Sequence, residues 1–405
     1  MKKYYIHTFG CKVNQYESQL ISEKFRKDNF ECTQKPEEAD IIIFNSCTVT
    51  TDADKECGRF LRKAAKLPSR PKIMLTGCIV KSKNIEIENL FSNIEIITDK
   101  TKLFIEPRKQ IVSGFDRHSR AFLKIQDGCK SFCSYCIVPY VRNTLWSKPE
   151  NEVLSEIKNL VKNGYSEIVL TGIHAGKYDS GLSNLFEKII KIPLDFRVRI
   201  SSIELSEIDD KFIELIETNT GKICRHLHIP LQSGSDEILK KMNRNYSTKE
   251  FEKKINKIMR SLPDLALTTD IITGFPGETE KHHEETCDFI KQILFAKFHI
   301  FRYSDRQGTK ASTFENKVST NEIKNRSKDI FEIDSVKRKN FLNKNIGTKR
   351  KAVKTGNNKA LTDNYITVKQ QTEAWNVECE IMKASDNKKK QSGIFEVEIT
   401  DTSEI

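Results

Sequence analysis

The stretch around which the chain is organised is Gly128-Cys129-Lys130-Ser131-Phe132-Cys133-Ser134-Tyr135-Cys136. Its three cysteines follow a predicted strand, and thiolates are soft ligands that favour zinc or iron–sulfur clusters over calcium or magnesium. A structural zinc site takes four protein ligands, whereas this loop has no fourth cysteine or histidine within reach. A cubane cluster normally takes four cysteines, so three would leave one iron open to another ligand. The spacing favours a reactive cluster, and a zinc site or a chance grouping is the alternative.

Six strand-and-helix repeats start just before this loop. The predicted strands are Ala121–Gln126, Glu167–Thr171, Phe196–Ser201, His226–Leu231, Ala266–Ile272 and Lys297–Tyr303. The helices between them include Pro149–Asn163, Glu207–Thr218, Thr248–Ser261 and Thr279–Phe295. Six units are too few for a closed eight-fold barrel and predict an open, partial (β/α)6 barrel. Working residues of such a barrel lie after the carboxyl ends of its strands, where the cysteine loop is found.

The Cys-x3-Cys-x2-Cys spacing, with Tyr135 before the last cysteine, resembles the signature of the radical S-adenosylmethionine (SAM) enzymes. The resemblance implies that Cys129, Cys133 and Cys136 hold a 4Fe–4S cluster whose open iron binds SAM. Polar and glycine residues follow the other strands, and by resemblance the candidates for contacting SAM are Gly172, Ser201, Glu204, Gln232 and Ser233. Each of them alone is more often an ordinary turn or cap residue. His174 and Arg306 are weaker candidates for contacting the substrate.

The first hundred residues alternate three strand-like runs with helical patterns at Asn14–Asp28 and Asp52–Leu67, which predicts a parallel sheet. The predicted strands are Lys3–Phe9, Asp40–Asn45 and Lys72–Thr76. Cys11, Cys47 and Cys78 each follow one of them, and the carboxyl ends of parallel strands share one edge, where ligands bind. We therefore expect a second three-cysteine site. The remaining cysteines, interpreted as structural, are Cys32, Cys57, Cys224, Cys287 and Cys379.

Three motifs in this region resemble the methylthiotransferase family: HTFGCKVNQYES at His7–Ser18, NSCTVT at Asn45–Thr50 and TGC at Thr76–Cys78. In that family the N-terminal cysteines hold an auxiliary 4Fe–4S cluster. Some family positions differ here: Asn143 stands in place of glycine, Trp146 in place of arginine, Asp179 in place of glycine and Leu205 in place of proline. None of these changes alters a cluster ligand.

The C-terminal region is basic and ends in short predicted strands. Residues 317–351 contain eleven Lys or Arg against four Asp or Glu, largely within a predicted helix at Thr320–Asn343. The short runs Arg350–Lys354, Tyr365–Gln370, Val377–Met382 and Ile394–Thr400 then predict a small β-barrel. The segment Thr362–Val368 resembles part of the RNA-binding TRAM domain. Basic residues beside such a barrel would contact phosphates, although a merely solvated helix face is the alternative.

Composition fits a polar, nucleic-acid-binding protein. The chain has 405 residues and a formal net charge of +12, which indicates an anionic partner. The alternative is a general bias towards lysine in the proteome from which the chain comes. We expect no membrane partner and a cytoplasmic location, because no secretory signal or apolar run of roughly 20 residues is visible. The eleven cysteines are then metal ligands or buried thiols. The predicted α/β organisation comprises an N-terminal domain at 1–112, a radical SAM core at 115–343 and a TRAM-like domain at 344–405.

The residues after Cys11 match best one branch of the family, which converts threonylcarbamoyladenosine next to the tRNA anticodon to its 2-methylthio derivative. Sibling branches act on isopentenyl-type adenosine in tRNA or on a ribosomal protein aspartate. The resemblance implies two 4Fe–4S clusters and SAM as cofactors, the anticodon stem-loop as partner, and an unidentified electron donor and sulfur source. We expect a monomer. The rival hypothesis from another class is a non-catalytic RNA-binding protein stabilised by structural zinc.

The mechanism implied by the resemblance uses both cysteine sets. An electron from the cluster on Cys129, Cys133 and Cys136 cleaves bound SAM to methionine and a 5′-deoxyadenosyl radical, which removes hydrogen from the adenine carbon. Methylated sulfur on the cluster held by Cys11, Cys47 and Cys78 then couples to that carbon, and a second SAM supplies the methyl group. The protein positions these groups and excludes water, while the cofactors carry the difficult chemistry.

Overall fold

The structure is a computed structural model that describes residues 1–82, 94–106, 110–115, 119–356, 358–369 and 393–400. The chain falls into two structural units. The first contains Met1–Val112, Gln126–Ser147 and Ser304–Thr313, and the second contains Ser113–Ile125, Lys148–Tyr303 and Phe314–Ile405. Both three-cysteine sets therefore belong to the first unit, although they are far apart in sequence.

The N-terminal part of the first unit is a five-stranded parallel sheet with the strand order β2-β1-β3-β4-β5. Its strands are β1 (Lys3–Thr8), β2 (Glu31–Cys32), β3 (Ile41–Ser46), β4 (Lys72–Gly77) and β5 (Ile94–Ile96). Helices α1 (Lys12–Lys27) and α2 (Thr51–Ala65) connect them. The three predicted strands and two predicted helices are confirmed. Strands β2 and β5 were not predicted, because two or three residues are too few to show a periodic pattern.

The apolar side chains of this sheet form a buried core with helix α2. Ile42 and Phe44 of β3 lie in one buried cluster with Ile73 and Leu75 of β4 and Leu61 of α2. Strands of a parallel sheet with crossover helices are buried on both faces, so they read as nearly continuous apolar runs. That character made β3 and β4 recognisable in the sequence.

The rest of the first unit surrounds the cysteine loop. The loop follows β6 (Ala121–Asp127), which begins in the second unit and ends in the first. Helix α3 (Val138–Val141) and the short strand β7 (Trp146–Ser147) come after the loop. Strand β7 pairs antiparallel with the last two residues of β6. The loop is thereby closed at its base by a two-residue ladder.

The second unit contains the predicted partial barrel. After β6 its strands are β8 (Glu167–Gly172), β9 (Arg197–Ile200), β10 (His226–His228), β11 (Ala266–Thr273) and β12 (Lys297–Arg302). Strands β8 and β9 are parallel, as are β10, β11 and β12, and a parallel bridge between Ser202 and His228 joins the two groups. All six predicted strands are confirmed, with ends that differ by a few residues.

The helices of this unit are α4 (Glu150–Lys162), α5 (Leu182–Ile190), α6 (Asp210–Thr218), α7 (Asp236–Lys241), α8 (Thr248–Ser261), α9 (Glu280–Gln292) and α10 (Thr320–Lys344). Helices α8 and α10 begin with capping boxes formed by Ser247 with Glu250 and by Ser319 with Glu322. Each box satisfies two amide groups that the first helical turn leaves without partners. Helices α5 and α7 were not predicted, and α7 spans only six residues.

The C-terminal strands form an antiparallel sheet with the order β15-β14-β13-β16. They are β13 (Lys349–Gly356), β14 (Lys359–Thr362), β15 (Thr367–Lys369) and β16 (Ile394–Glu398). The strand predicted at Val377–Met382 and the cysteine at position 379 lie outside the described residues. A small β domain is consistent with this sheet, and its closure into a barrel stays a prediction. Within the described residues, we find no helix with the length and apolar character needed to span a membrane.

Candidate functional site

The N-terminal cysteines lie at the carboxyl edge of the first unit's parallel sheet. Cys47 and Cys78 directly follow β3 and β4, and Cys11 immediately precedes the first residue of α1. Gly10 allows the side chain of Cys47 to lie close to the backbone before Cys11. It has a φ of +81°, and a Cβ built on it would lie 2.7 Å from the Cys47 sulfur. The structure therefore places the three cysteines at one edge of the sheet, as predicted, while iron binding stays a prediction.

Polar side chains tie the three cysteine segments together. The Asn14 side chain donates to the carbonyl oxygens of Phe9, at 2.8 Å, and of Ser46, at 2.9 Å. The Ser46 hydroxyl donates to the Thr76 carbonyl at 2.6 Å and accepts from the Ile79 amide at 3.2 Å. These bonds link the residues beside Cys11, Cys47 and Cys78 and hold the three segments together.

Burial affects how readily the thiols of this set lose their protons. Burial raises the pKa of Cys47 to about 11, with a hydrogen bond from the Val49 backbone opposing the rise and Cys78 and Cys11 adding to it. A metal must therefore displace protons from such thiols.

The second cysteine set lies in the loop after β6. Cys129, Cys133 and Cys136 are half-buried. The Cys129 amide donates to the carbonyl oxygen of Arg142 at 3.2 Å, and the Cys136 amide donates to the Cys133 carbonyl at 2.9 Å. The backbone thus fixes the loop at both ends.

Gly128 allows this loop to form, and its replacement provides a test. Its φ is +81°, and an added Cβ would lie 2.2 Å from the Thr144 carbonyl oxygen. We expect Gly128→Ala to lower iron binding by about half, because the loop must shift to relieve the clash, in addition to about 1–2 kcal/mol for the left-handed backbone. Gly347→Ala is the matched control, since Gly347 has a φ of +76° and nothing within 4 Å. Equal iron contents in the two purified variants would contradict this expectation.

A buried arginine, Arg142, connects the two cysteine sets. Its guanidinium donates to both oxygens of Glu17, at 3.1 and 2.9 Å, and to both oxygens of Asp127, at 2.8 and 3.0 Å. It also donates to the side-chain oxygen of Asn14 at 2.7 Å and, through Nε, to the Cys78 sulfur at 3.3 Å. Sequence reasoning did not single out Arg142. Its position just after the cysteine loop was the available signal, but its partners were not recognisable.

In the second unit, the five residues predicted to contact SAM lie at or just beyond the carboxyl ends of β8, β9 and β10. The side-chain oxygens of Ser201 and Gln232 are buried without a hydrogen-bond partner among the described residues. Gln232 also has a φ of +71°, which is rare for a residue other than glycine. Buried polar atoms without partners are costly, so these two residues fit a role in binding a polar ligand.

Of the other three predicted contact residues, two already have side-chain partners in the protein. The Glu204 carboxylate is paired with Arg244, and the Ser233 hydroxyl lies 3.2 Å from that of Thr286. Gly172 is the last residue of β8. These residues shape the loops after the strands, and contact with SAM stays a prediction for all five.

The two weaker candidates for substrate contact are also paired. His174 Nε2 lies 2.5 Å from the Glu207 carboxylate in the second unit. Arg306, in the first unit, forms an ion pair with Asp54 at 2.6 Å and donates to the Thr48 hydroxyl at 2.5 Å. Substrate contact by either residue stays a prediction.

Sequence reasoning missed a polar cluster of His228, Asp270 and His299 on β10, β11 and β12. Asp270 lies 3.1 Å from His228 Nε2 and 3.5 Å from His299 Nδ1. Although burial alone would raise the pKa of Asp270, hydrogen bonds from the two histidines lower it to about 2. His228 Nδ1 is 2.9 Å from the Thr268 hydroxyl. The three side chains therefore serve as hydrogen-bond partners for one another. Because their strands are far apart in the sequence, no local spacing could have predicted this cluster.

Comparison with known proteins agrees with this arrangement. The Radical SAM superfamily model matches residues 123–290, and the model of the uncharacterized protein family UPF0004 matches residues 3–99. Threonylcarbamoyladenosine tRNA methylthiotransferase MtaB of Bacillus subtilis (strain 168) is 39% identical over 351 residues, which are 79% of this chain and 77% of that protein. The chain belongs to the radical SAM methylthiotransferase family.

This methylthiotransferase is also similar to the tRNA-2-methylthio-N(6)-dimethylallyladenosine synthase of Clostridium botulinum (strain Okra / Type B1), with 35% identity over 350 residues and 78% of each chain covered. Among solved structures, the radical S-adenosylmethionine methyltransferase TsrM of Kitasatospora setae matches with a TM-score of 0.54 and 12% identity. That match covers 74% of this chain and 73% of TsrM, and it supports the fold alone. The predicted fold class is confirmed, and membership of the superfamily implies a 4Fe–4S cluster and SAM.

Proposed function

We propose that this methylthiotransferase modifies carbon 2 of threonylcarbamoyladenosine next to the anticodon of tRNA, giving the 2-methylthio derivative. The observation that carries the proposal is the presence of two three-cysteine sets within one structural unit. The choice of nucleoside is supported by the similarity to enzymes named for that substrate, at 39% and 36% identity.

The chain's own residues have distinct tasks in this reaction. The cluster that binds SAM is held by Cys129, Cys133 and Cys136. A second 4Fe–4S cluster is held by the N-terminal set, Cys11, Cys47 and Cys78. When bound, these groups supply the radical that activates the adenine C–H bond and the sulfur that replaces its hydrogen. The backbone bonds around Cys129 and the side-chain bonds of Asn14 position these ligands.

Binding of SAM involves the loops after the barrel strands. Ser201 and Gln232 donate or accept hydrogen bonds with the polar groups of SAM, which gives partners to their buried side-chain oxygens. Gly172 permits close approach of the backbone. Glu204 and Ser233 complete the predicted set, and Glu204 acts together with its partner Arg244.

Recognition of tRNA rests on the basic C-terminal region. Seven of the eleven basic residues between positions 317 and 351 are exposed lysines: Lys317, Lys324, Lys328, Lys339, Lys344, Lys349 and Lys351. Arg326, by contrast, is buried in an ion pair with Glu278. The lysines and the TRAM-like domain at 344–405 contact phosphates of the anticodon stem-loop. The enzyme works as a cytoplasmic monomer with a separate electron donor and sulfur source.

Nucleoside analysis of tRNA from a deletion strain tests the substrate. We expect the 2-methylthio derivative of threonylcarbamoyladenosine to be absent from the tRNA of that strain and to reappear when the gene is returned. A Cys11→Ala copy should fail to restore it, whereas a Cys32→Ala copy should succeed, because Cys32 lies outside both cysteine sets. Loss of the methylthio group from isopentenyl-type adenosine, or from a ribosomal protein aspartate, would instead assign the chain to a sibling branch.

A further inference from the structure

The side chain of Arg142 uses all of its hydrogen-bonding capacity inside the first unit. A guanidinium has five N–H donors in a rigid fork. Four of them point at oxygens of Glu17, Asp127 and Asn14, and the fifth, on Nε, points at the Cys78 sulfur at 3.3 Å. Only 6% of the side chain is exposed. The orientation of the Nε–H group is therefore fixed by the other four bonds.

The acceptor of this fifth bond is the sulfur of Cys78, and a cysteine that ligates a metal does so as a thiolate. A neutral thiol is a weak acceptor, whereas a thiolate accepts a strong, charge-assisted bond. A guanidinium stays charged inside proteins, and the carboxylates of Glu17 and Asp127 pair with it here. A buried, charged N–H group aimed at sulfur suits a cysteine that is a metal ligand.

Arg142 also contacts the other cysteine set, but in a different way. Its carbonyl oxygen accepts the Cys129 amide at 3.2 Å, and this contact depends on the backbone alone. A substitution at position 142 therefore removes the bond to Cys78 and leaves the bond to Cys129 possible. This difference allows the effect of the side chain on one cluster to be separated from its effect on the other.

We infer that Arg142 is a positioning residue that donates a charged hydrogen bond to the Cys78 thiolate and raises the reduction potential of the N-terminal cluster. The inference rests on the proposed function, which assigns that cluster to Cys11, Cys47 and Cys78. Reduction adds one electron and makes a cluster more negative, so a cationic donor at a ligand sulfur favours the reduced form. Arg142 thereby sets how readily this cluster accepts an electron.

The test uses the full chain with Cys129, Cys133 and Cys136 all replaced by alanine, so that only the N-terminal cluster is loaded. Reductive titration followed by electron paramagnetic resonance gives the ratio of reduced to oxidised cluster at a fixed potential. We expect Arg142→Gln to lower that ratio about tenfold, which is about 59 mV for one electron. Arg142→Lys should give a smaller decrease, because it keeps the charge but lacks the fork.

The matched control places Arg142→Gln in a chain whose Cys11, Cys47 and Cys78 are replaced by alanine. There the ratio for the remaining cluster should change less than twofold. An unchanged ratio for the N-terminal cluster in the iron-loaded Arg142 variants would overturn the inference. Folded Arg142→Gln and Arg142→Lys proteins that both fail to load would also overturn it, since Arg142 would then act only in assembly. If no cluster loads with Arg142 intact, the proposed second cluster itself is wrong.

Discussion

The Cys129→Ala variant is expected to bind about four iron ions after anaerobic reconstitution, where the unaltered chain binds about eight, and to lose reductive cleavage of SAM entirely. Removing one thiolate leaves the loop with Cys133 and Cys136, which are too few to hold a cluster with one iron open to SAM. The N-terminal cysteines should keep their iron, because their positions depend on β3, β4 and α1 and on the bonds of Asn14. Iron, sulfide and 5′-deoxyadenosine are the quantities to measure.

Two comparisons make this result decisive. Cys32→Ala is the matched control, since Cys32 is a half-buried cysteine of the same unit that belongs to neither set. It should retain about eight iron ions and full SAM cleavage. Persistent cleavage of SAM by the Cys129→Ala protein would contradict the assignment of the loop. Zinc without iron or sulfide in the anaerobically purified chain would favour a non-catalytic RNA-binding protein.

The second large effect concerns a buried carboxylate at the start of β8. Glu167 is fully buried and accepts hydrogen bonds from Arg197 at 2.7 Å and from Arg199 at 2.9 Å. Arg197 also donates to carbonyl oxygens of Lys351 and Leu361 in the C-terminal sheet, and Arg199 donates to the carbonyl oxygen of Thr362. We expect Glu167→Ala to lower the free energy of unfolding by about 3–5 kcal/mol, because it leaves two guanidinium charges buried without their anion.

Urea unfolding followed by circular dichroism measures this loss. Glu217→Ala, at an exposed position on α6, is the control and should change the free energy of unfolding by less than about 0.5 kcal/mol. Burial alone would raise the pKa of Glu167, but Arg199 and Arg197 hold it far below its usual value. The stabilisation is therefore present above about pH 4.3 and is lost as the pH falls below it. A Glu167→Ala protein as stable as the Glu217→Ala control at neutral pH would refute this role.

The fold was largely predictable because its elements have strong local patterns. The strand Ile41–Ser46 begins with three isoleucines followed by phenylalanine, a run whose burial needs no knowledge of its neighbours. Helix α8 begins at a capping box whose two residues are three positions apart. The elements that were missed, such as β2 and α7, are too short for periodicity to appear. In these cases backbone pairing and tertiary packing, not local preference, decide the structure.

The sequence by itself determined the two cysteine sets. The spacing of Cys129, Cys133 and Cys136 is local, and the ends of parallel strands share an edge by the geometry of the sheet. Only the tertiary structure placed both sets in one unit and joined them through Arg142, whose partners Cys78 and Glu17 are 64 and 125 positions away. A guanidinium can reach several elements at once, and which acceptors it meets depends on how distant segments pack. No pattern along the chain records that choice.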